Sequence, residues 1–241
     1  DEFNSKQHEI LTGVVTRIDP RTGNASLRIG TGTESTEALL MAGEQVPGEE
    51  LEEGMHIKVY VVDVRRLTRG PQVLISRTHP GLVKRLFELE VPEIQTGIVQ
   101  IKSIAREAGF RTKVAVYSSD PQVDAVGACV GQKGIRVERI VNELHNEKID
   151  IIEWDPDPAV YIAKSLSPAR VMMVYINEAE KAAKVIVPDN QLSLAIGKEG
   201  QNVRLAAKLT GWKIDIKSQS QAEEDMDIAD ADSEADGGFE E

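Results

Sequence analysis

The sequence feature that most constrains this chain is a glycine-x-x-glycine tetrapeptide that occurs twice. The first copy is Gly131-Gln132-Lys133-Gly134 and the second is Gly197-Lys198-Glu199-Gly200. Because glycine has no Cβ, such a loop can bend sharply and lie very close to another molecule. A single tetrapeptide of this kind is weak evidence, since glycine pairs also mark ordinary turns. The sequence on either side of the two copies therefore decides what they mean.

Apolar residues at helical spacing lie before and after both copies. The residues before them are Val126, Cys129 and Val130 in the first copy, and Leu192, Ala195 and Ile196 in the second. The residues after them are Val137, Ile140, Val141 and Leu144, and then Val203, Ala206 and Ala207. This spacing predicts a helix, a glycine loop and a second helix in each copy. The unpaired amides and positive dipole end of the second helix would attract phosphate.

Matching strands extend the repeat in both directions. Residues 113–116 and 184–187 alternate like strands before the helices, and residues 148–151 and 213–216 do so after them. With helices predicted at 80–90 and 159–166 and further strands at 98–105 and 170–176, each copy has the order αββααβ. That order is typical of the type II KH domain, whose glycine loop clamps a short single strand of nucleic acid. The alternative is a pair of small α/β units whose glycines only cap helices.

The chain before the repeat predicts a different fold. Five short strands are expected at residues 11–18, 25–29, 37–41, 57–64 and 72–76, which suits a small closed barrel of the OB type. Residues 12–15, 53–59 and 74–77 resemble the S-one class of OB barrels, which bind single-stranded RNA through aromatic residues. Here Tyr60 is the barrel's single aromatic residue, apart from any contribution of Phe3. The electrostatic candidates are Arg17, Arg28, Lys58, Arg65 and Arg66, for which a solvated surface role stays open, so weak binding is expected of the barrel alone.

The predicted fold class is therefore multidomain, β plus α/β: a five-stranded OB-type barrel, two tandem type II KH domains and an acidic tail. The expected boundaries are a disordered linker at 1–8, the barrel at 9–78, the KH domains at 79–153 and 154–217, and a disordered tail at 218–241. The break at residues 155–158 is so short that a rigid pair of KH domains is expected.

Charge is concentrated in the tail. The net charge is −12, but residues 218–241 hold ten acidic residues and no Lys or Arg, which leaves 30 acidic and 28 basic residues elsewhere. The nearly neutral remainder can still carry basic patches. Two interpretations of the tail stay open: it folds back and competes with RNA, or it is a solubilising appendage.

The composition also restricts compartment and chemistry. A single cysteine excludes an internal disulfide framework, and no apolar run has the length of a membrane span. A cytoplasmic monomer is expected, and the start at Asp1 is interpreted as a fragment or a processed product. There is no phosphate loop, the four histidines (His8, His56, His79 and His145) lack metal spacing, and Cys129 lies on a buried helix stripe. The sequence thus predicts no enzyme, metal or cofactor.

The chain resembles the NusA family of bacterial transcription elongation factors over about residues 9–217. The motifs that carry the resemblance are residues 126–137 and 191–206, together with residues 80–82 and 87–94 at the join between the barrel and the first KH domain. The resemblance implies a protein that accompanies RNA polymerase, contacts nascent RNA and modulates pausing, termination and antitermination, with other antitermination factors as further partners. It also implies that one continuous RNA strand contacts both KH domains, and that the family's amino-terminal polymerase-binding domain is missing here. The alternative is a cap subunit of an exosome-like complex, which normally has one KH domain.

Carried over by position, the RNA-binding candidates are Gly131, Gln132, Lys133, Gly134 and Arg136 in the first copy, and Gly197, Lys198, Gly200, Gln201, Asn202 and Arg204 in the second. Loop amides would contact phosphates while Lys133 and Lys198 add charge, unstacked bases would enter an apolar groove, and Asn202 would read base edges. Glu199 departs from the basic or neutral residue that a phosphate prefers.

Overall fold

The computed structural model describes residues 6–30 and 32–236. The chain divides into two compact units, Asp1–Ile151 and Ile152–Glu241. The fold class predicted for the barrel and the two KH domains is confirmed. No helix in the described ranges is long and apolar enough to cross a membrane.

The barrel consists of five strands: β1 (Ile10–Ile18), β2 (Ala25–Ile29), β3 (Thr36–Leu40), β4 (His56–Leu67) and β5 (Gly70–Ser76). They close in the order β1-β2-β3-β5-β4, with β1 also paired to β4 and only β3 and β5 parallel. Gly13 permits close packing inside, because a Cβ there would lie 2.9 Å from Cδ2 of Leu27. The interior is filled by alternate β-branched and aliphatic side chains, among them Val15, Leu27, Ile29, Leu40, Val59, Val61 and Ile75.

Tyr60 does not offer its ring as an open platform for a base. Its side chain is buried with the core of the first KH domain, its ring stacks on His79 at 4.6 Å between centroids, and its hydroxyl lies 3.0 Å from Nδ1 of His8. Residues 6–8, expected to be disordered, form a turn in which the amide of His8 donates to the carbonyl of Val61 at 2.8 Å. Phe3 and the rest of residues 1–5 lie outside the described ranges.

The first KH domain follows directly. Its elements are α1 (Pro80–Glu90), α2 (Pro92–Gln95), β6 (Val99–Glu107), β7 (Arg111–Ser118), α3 (Ala125–Val130), α4 (Ile135–Glu143) and β8 (Lys148–Glu153), with the sheet order β6-β7-β8. The short α2 was not expected; it begins at Pro92, where a proline suits a first helical turn. Helices and sheet share one apolar core that includes Leu82, Leu86, Phe87, Val114, Val116, Cys129, Ile140 and Leu144.

A buried arginine joins the barrel to this domain. The Arg77 guanidinium lies 2.6 Å from Oε1 of Glu49, donates to the carbonyl of Lys58 at 2.7 Å and donates to the carbonyl of Glu143 at 3.2 Å. Its partners belong to the barrel and to α4. Because an unpaired buried charge is costly, these contacts fix the barrel against the first KH domain.

The second KH domain repeats the order. Its elements are α5 (Pro158–Ser165), β9 (Met173–Asn177), β10 (Ala182–Val187), α6 (Leu192–Ile196), α7 (Gln201–Thr210) and β11 (Lys213–Ser218). In its sheet, β10 is central, antiparallel to β9 and parallel to β11. The core comprises Ile162, Leu166, Ala169, Ala183, Val185, Val187, Ala195 and Ala206.

The prediction of a disordered tail was wrong for residues 218–236: Ser218 ends β11, and the residues after it form helix α8 (Gln219–Asp236). Ser218 and Gln221 cap its start reciprocally: Oγ of Ser218 accepts from the amide of Gln221, and Oε1 of Gln221 accepts from the amide of Ser218. Ser220 binds Asp189, and the Lys217 ammonium contacts the Asp225 carboxylate at 2.5 Å. Low apolar content does not prevent a capped segment that contains Ala and Glu, which favour helix, alongside Asp, which does not, from forming a helix beside a folded domain. Residues 237–241 lie outside the described ranges.

Candidate nucleic-acid interface

The two glycine loops have the same backbone conformation. The first connects α3 to α4, with φ and ψ of 79° and 171° at Gly131 and 73° and 12° at Gly134. The second connects α6 to α7, with 80° and 168° at Gly197 and 73° and 16° at Gly200. All four residues lie at positive φ, where glycine has no steric penalty. The repeat seen in the sequence is thus a repeat of one backbone shape.

The two glycines of each loop have different roles. A Cβ on Gly131 would lie 2.6 Å from Cγ of Arg136, and one on Gly197 would lie 2.7 Å from the amide nitrogen of Asn202. The first glycine is therefore required by packing within the loop. A Cβ on Gly134 would meet nothing among the described atoms within 4 Å. A Cβ on Gly200 would lie 3.9 Å from Nη1 of Arg204, an ordinary contact with the end of a flexible side chain, so a ligand backbone can come close to the second glycine of either loop.

The residue before the second glycine is left-handed in both loops. Lys133 has φ of 57° and Glu199 has φ of 55°, and both side chains are exposed. The residues before them, Gln132 and Lys198, are exposed as well. The cation of the first loop is thus Lys133, at the third position of the tetrapeptide. The cation of the second loop is Lys198, at the second position, and the carboxylate of Glu199 follows it.

Both loops lead into helices that begin without a side-chain cap. The residues at the N-caps of α4 and α7 are Gly134 and Gly200, and neither makes a side-chain cap hydrogen bond. The amides of a first helical turn are unpaired within the helix, and the helix dipole makes this end positive. Each loop therefore places a helix amino terminus beside an open glycine, which is suitable geometry for a phosphate.

Arg136 lies along the first loop. Its Nη1 donates to the carbonyl of Ala128 at 2.7 Å and to the carboxylate of Glu93 at 2.9 Å, and 28% of its side chain is exposed. The side chain covers the position that a Cβ on Gly131 would occupy. It supports the loop, and its exposed part can still face a ligand.

Asn202 is buried rather than available to read base edges. Its residue is 1% exposed, and its Nδ2 donates at 3.0 Å to the carbonyls of Leu166 and Ala195. Asn202 occupies the position in the second copy that Arg136 occupies in the first. In both copies the side chain at this position turns toward the preceding helix, so the interpretation of Asn202 as a base-reading residue was wrong. A polar residue on an otherwise apolar helix stripe was the signal for this structural role.

The remaining candidates lie on the surface of the second loop. Nη1 of Arg204 donates to the carbonyl of Glu199 at 3.0 Å, which holds the left-handed residue in place. Gln201 is the first residue of α7 and is partly buried. The structure therefore brings together the four loop residues of each copy, with Gln201 and Arg204 beside the second.

Exposed apolar side chains flank the loops and were not identified from the sequence. Ile135, which follows the first loop, is 47% exposed, and Leu194, which precedes the second, is 43% exposed. Both interrupt the polar side of their helices. They are additional candidates for contact with the apolar faces of unstacked bases.

The other sequence candidates have ordinary surroundings. Cys129 is buried in the core as predicted, and burial, followed by the charge of Glu93, raises the pKa of its thiol to about 12. Arg17, Arg28, Arg65 and Arg66 are exposed on the barrel, where Arg65 pairs with Asp63 at 3.1 Å. The backbone of Lys58 contacts Glu143 and Arg77.

A closed OB-type barrel followed by two KH domains, each with an exposed glycine loop, defines a class of multidomain KH proteins. Residues 77–154 match the family described as NusA-like first KH domain, and residues 158–224 match NusA-like second KH domain. The chain belongs to the NusA family.

The chain is similar to several proteins named Transcription termination/antitermination protein NusA. The protein of Halalkalibacterium halodurans is 57% identical over 92% of this chain and 57% of its own length. That of Bacillus subtilis is 56% identical over 92% of this chain and 58% of its own. That of Mycobacterium bovis is 52% identical over 91% of this chain and 64% of its own. The chain thus spans between 57% and 64% of the length of these relatives.

Proposed function

We propose that this chain binds single-stranded RNA as part of a transcription elongation factor that modulates pausing, termination and antitermination by RNA polymerase. The names of the relatives support the transcriptional role, and the matches to NusA-like KH domains support the choice of RNA. The single observation that carries the proposal is the duplicated loop, in which an open glycine adjoins an uncapped helix amino terminus. The proposed function requires no chemical step, so the chain acts as a binding protein and not as an enzyme.

In the proposed mechanism, the sugar-phosphate backbone lies against the second glycine of each loop. The first amides of α4 and α7 donate to phosphate oxygens, and Lys133 or Lys198 adds charge without reading sequence. Bases that leave the stack contact the apolar surface beside the loop, where Ile135 and Leu194 are exposed. RNA polymerase and other antitermination factors are the proposed protein partners.

The test replaces the exposed middle residues of a loop and keeps its glycines, since Gly131 and Gly197 are required by packing. Gln132→Asp with Lys133→Asp disables the first loop, and Lys198→Asp with Glu199→Asp disables the second. Asp tolerates a left-handed backbone and repels phosphate. The matched control is Lys6→Asp with Gln7→Asp, which makes the same charge change as the first-loop variant ahead of the barrel; Lys6→Asp alone matches the second-loop variant.

Fluorescence anisotropy with short single-stranded RNA measures the result. Each loop variant is expected to weaken binding by tenfold or more, the control by much less, and the double-loop variant most of all. Equal effects of loop and control variants would show that only overall charge matters. A pull-down from a bacterial lysate that captures a ring-shaped nuclease instead of RNA polymerase would favour the exosome-cap alternative.

A further inference from the structure

The outer face of the sheet in the second KH domain has a regular composition that the glycine loops do not use. Strand pairing places its outward residues in three rows across β9, β10 and β11. One row is Met173, Ile186 and Lys217, the next is Tyr175, Lys184 and Asp215, and the last is Asn177, Ala182 and Lys213. The face thus has Lys184 at its centre on β10, the aromatic ring of Tyr175 beside it on the edge strand β9, two further lysines on β11 and a single carboxylate.

The outward residues of the edge strand β9 are accessible. Tyr175 is 57% exposed and Met173 is 50% exposed, which is unusual for large side chains in a sheet. Two clefts meet at Tyr175 and Lys184. One has a volume of about 430 Å³ and extends over the row of Asn177 and Lys213; the other, of about 530 Å³, lies between Met173 and α8.

Helix α8 lies over one side of this face. Ala222, Met226 and Ala229, spaced at one helical stripe, line the second cleft opposite the methionines of the sheet. Asp225 pairs with Lys217 at 2.5 Å, and this hydrogen bond together with the charges of Lys217 and Lys184 lowers the pKa of its carboxyl group. The apolar row of the face is therefore faced by an acidic helix, while the aromatic and polar rows remain open.

We propose that this face is a second contact surface for single-stranded RNA, with Tyr175 as a stacking platform for one base and Lys184 and Lys213 as phosphate contacts. An exposed aromatic ring with adjacent cations is the combination that binds single strands without strong sequence preference. A partner helix would need an apolar strip, and the strip present here already faces α8. The open rows instead offer the ring of Tyr175, which suits the face of a base, and the amide of Asn177 and the carboxylate of Asp215, which suit its edge.

The inference rests on the proposed function for its choice of RNA, but it uses no residue of the glycine loops. The carboxylate of Asp225 pairs with Lys217 in the place that a phosphate would take. We therefore expect the bound strand to end on the side of the face that α8 covers. The acidic helix and the RNA are expected to compete for Lys217 and to coexist at Lys213.

Methionine methyl groups report on this face in the intact chain. With [methyl-¹³C]methionine, the five methionines give separate NMR probes: Met172 and Met173 on the face, Met226 on α8, and Met41 and Met55 in the barrel. Titration with a short oligouridylate is expected to shift the Met173 signal and to leave Met55 unchanged. The shift is expected to persist in the double-loop variant.

Substitutions at the platform complete the test. Tyr175→Ala is expected to weaken the binding that shifts Met173 by roughly 5- to 100-fold, and Tyr175→Phe to retain it, because stacking needs the ring alone. Lys184→Ala with Lys213→Ala is expected to reduce its salt dependence. An unaffected titration in Tyr175→Ala would overturn the proposal.

Two further outcomes separate the alternatives. If the native chain binds RNA through its loops while Met173 does not respond, this inference fails and the proposed function stands; if the native chain binds no RNA, the proposed function fails first. A peptide with the sequence of residues 219–236 serves as the other probe, added to the variant Asp225→Ala with Met226→Ser. If the peptide shifts Met173 and RNA does not, the face takes an acidic helix and the choice of RNA is wrong.

Discussion

Nδ2 of Asn202 lies 3.0 Å from the carbonyl oxygen of Ala195, across the loop that contains Gly197 and Gly200. Together with its bond to the carbonyl of Leu166, this contact ties α7 to α6 and to the end of α5. The glycine loop is therefore held from beneath by a buried amide. The same position in the first KH domain is occupied by Arg136, which binds the carbonyl of Ala128.

Replacement of Asn202 is expected to destabilise the second KH domain. Asn202→Ala removes the side-chain donor from two buried carbonyls, of which that of Leu166 keeps a hydrogen bond from the amide of Ala169, and this costs roughly 1–3 kcal/mol. Urea unfolding followed by tryptophan fluorescence measures this selectively, because both tryptophans, Trp154 and Trp212, belong to the second unit. The exposed Arg204→Ala is the control. Unchanged stability with an altered base preference would instead support the base-reading role.

A charge reversal at the third loop position is expected to strengthen RNA binding at the second loop. Glu199→Lys replaces an exposed carboxylate by the cation that Lys133 supplies in the first loop, at nearly the same φ. RNA affinity should rise several-fold at low salt, and the slope of log affinity against log salt should steepen by about one charge. Glu53→Lys, exposed in the barrel, makes the same charge change elsewhere. A similar gain in both variants would mean that the loop position is irrelevant.

The repeat allowed most of the fold and the loop geometry to be predicted. Paired glycines, helical spacing on both sides and alternating strands constrain the same structure at several levels. The roles of Tyr60 and Asn202 were not predictable, because burial of a polar or aromatic residue depends on contacts distant in sequence. Tyr60 meets His79 only once the barrel packs on α1, and Asn202 meets Leu166 only once α5 is in place.

Helix α8 shows a different limit of sequence reasoning. An acidic composition with few apolar residues predicts that a segment cannot build its own core. It does not exclude a helix that packs on the outer face of a neighbouring sheet and has a capping box at Ser218 and Gln221. The serine and glutamine spaced three residues apart were the available signal, and composition concealed it.

Loss of the buried carboxylate of Glu147 is expected to destabilise the first unit. Both Glu147 and Arg106 have fully buried side chains, and Glu147 also accepts from the amide of Gly109 and the hydroxyl of Thr112, each at 2.7 Å. Glu147→Gln leaves the Arg106 charge unpaired, at a cost of roughly 3–5 kcal/mol. Thermal unfolding by circular dichroism measures it, with Glu153→Gln, an exposed partner of Lys164, as the control. A cost below that of the control would contradict the buried-pair interpretation.

The start of α1 is expected to depend on pH through His79. Nδ1 of His79 accepts from the amide of Gly81 at 2.9 Å, which requires that nitrogen to be unprotonated. Burial lowers the pKa of His79, with further lowering by the charges of His8 and Arg106 against an opposing effect of Glu44. The unfolded chain therefore binds the proton more readily, so stability is complete above the ordinary histidine pKa of about 6.5 and decreases as pH falls from there toward the folded value.

The amide proton of Gly81 reports this step directly. Its NMR signal should move as His79 titrates, and its hydrogen exchange, corrected for the intrinsic effect of pH, should accelerate once the acceptor is protonated. His79→Asn retains an oxygen acceptor suited to a helix start but cannot titrate, so both changes should disappear in that variant. If Gly81 showed the same pH response in His79→Asn, the dependence would arise from another group, such as Glu44 or His8, and the neutral histidine cap would not be its cause.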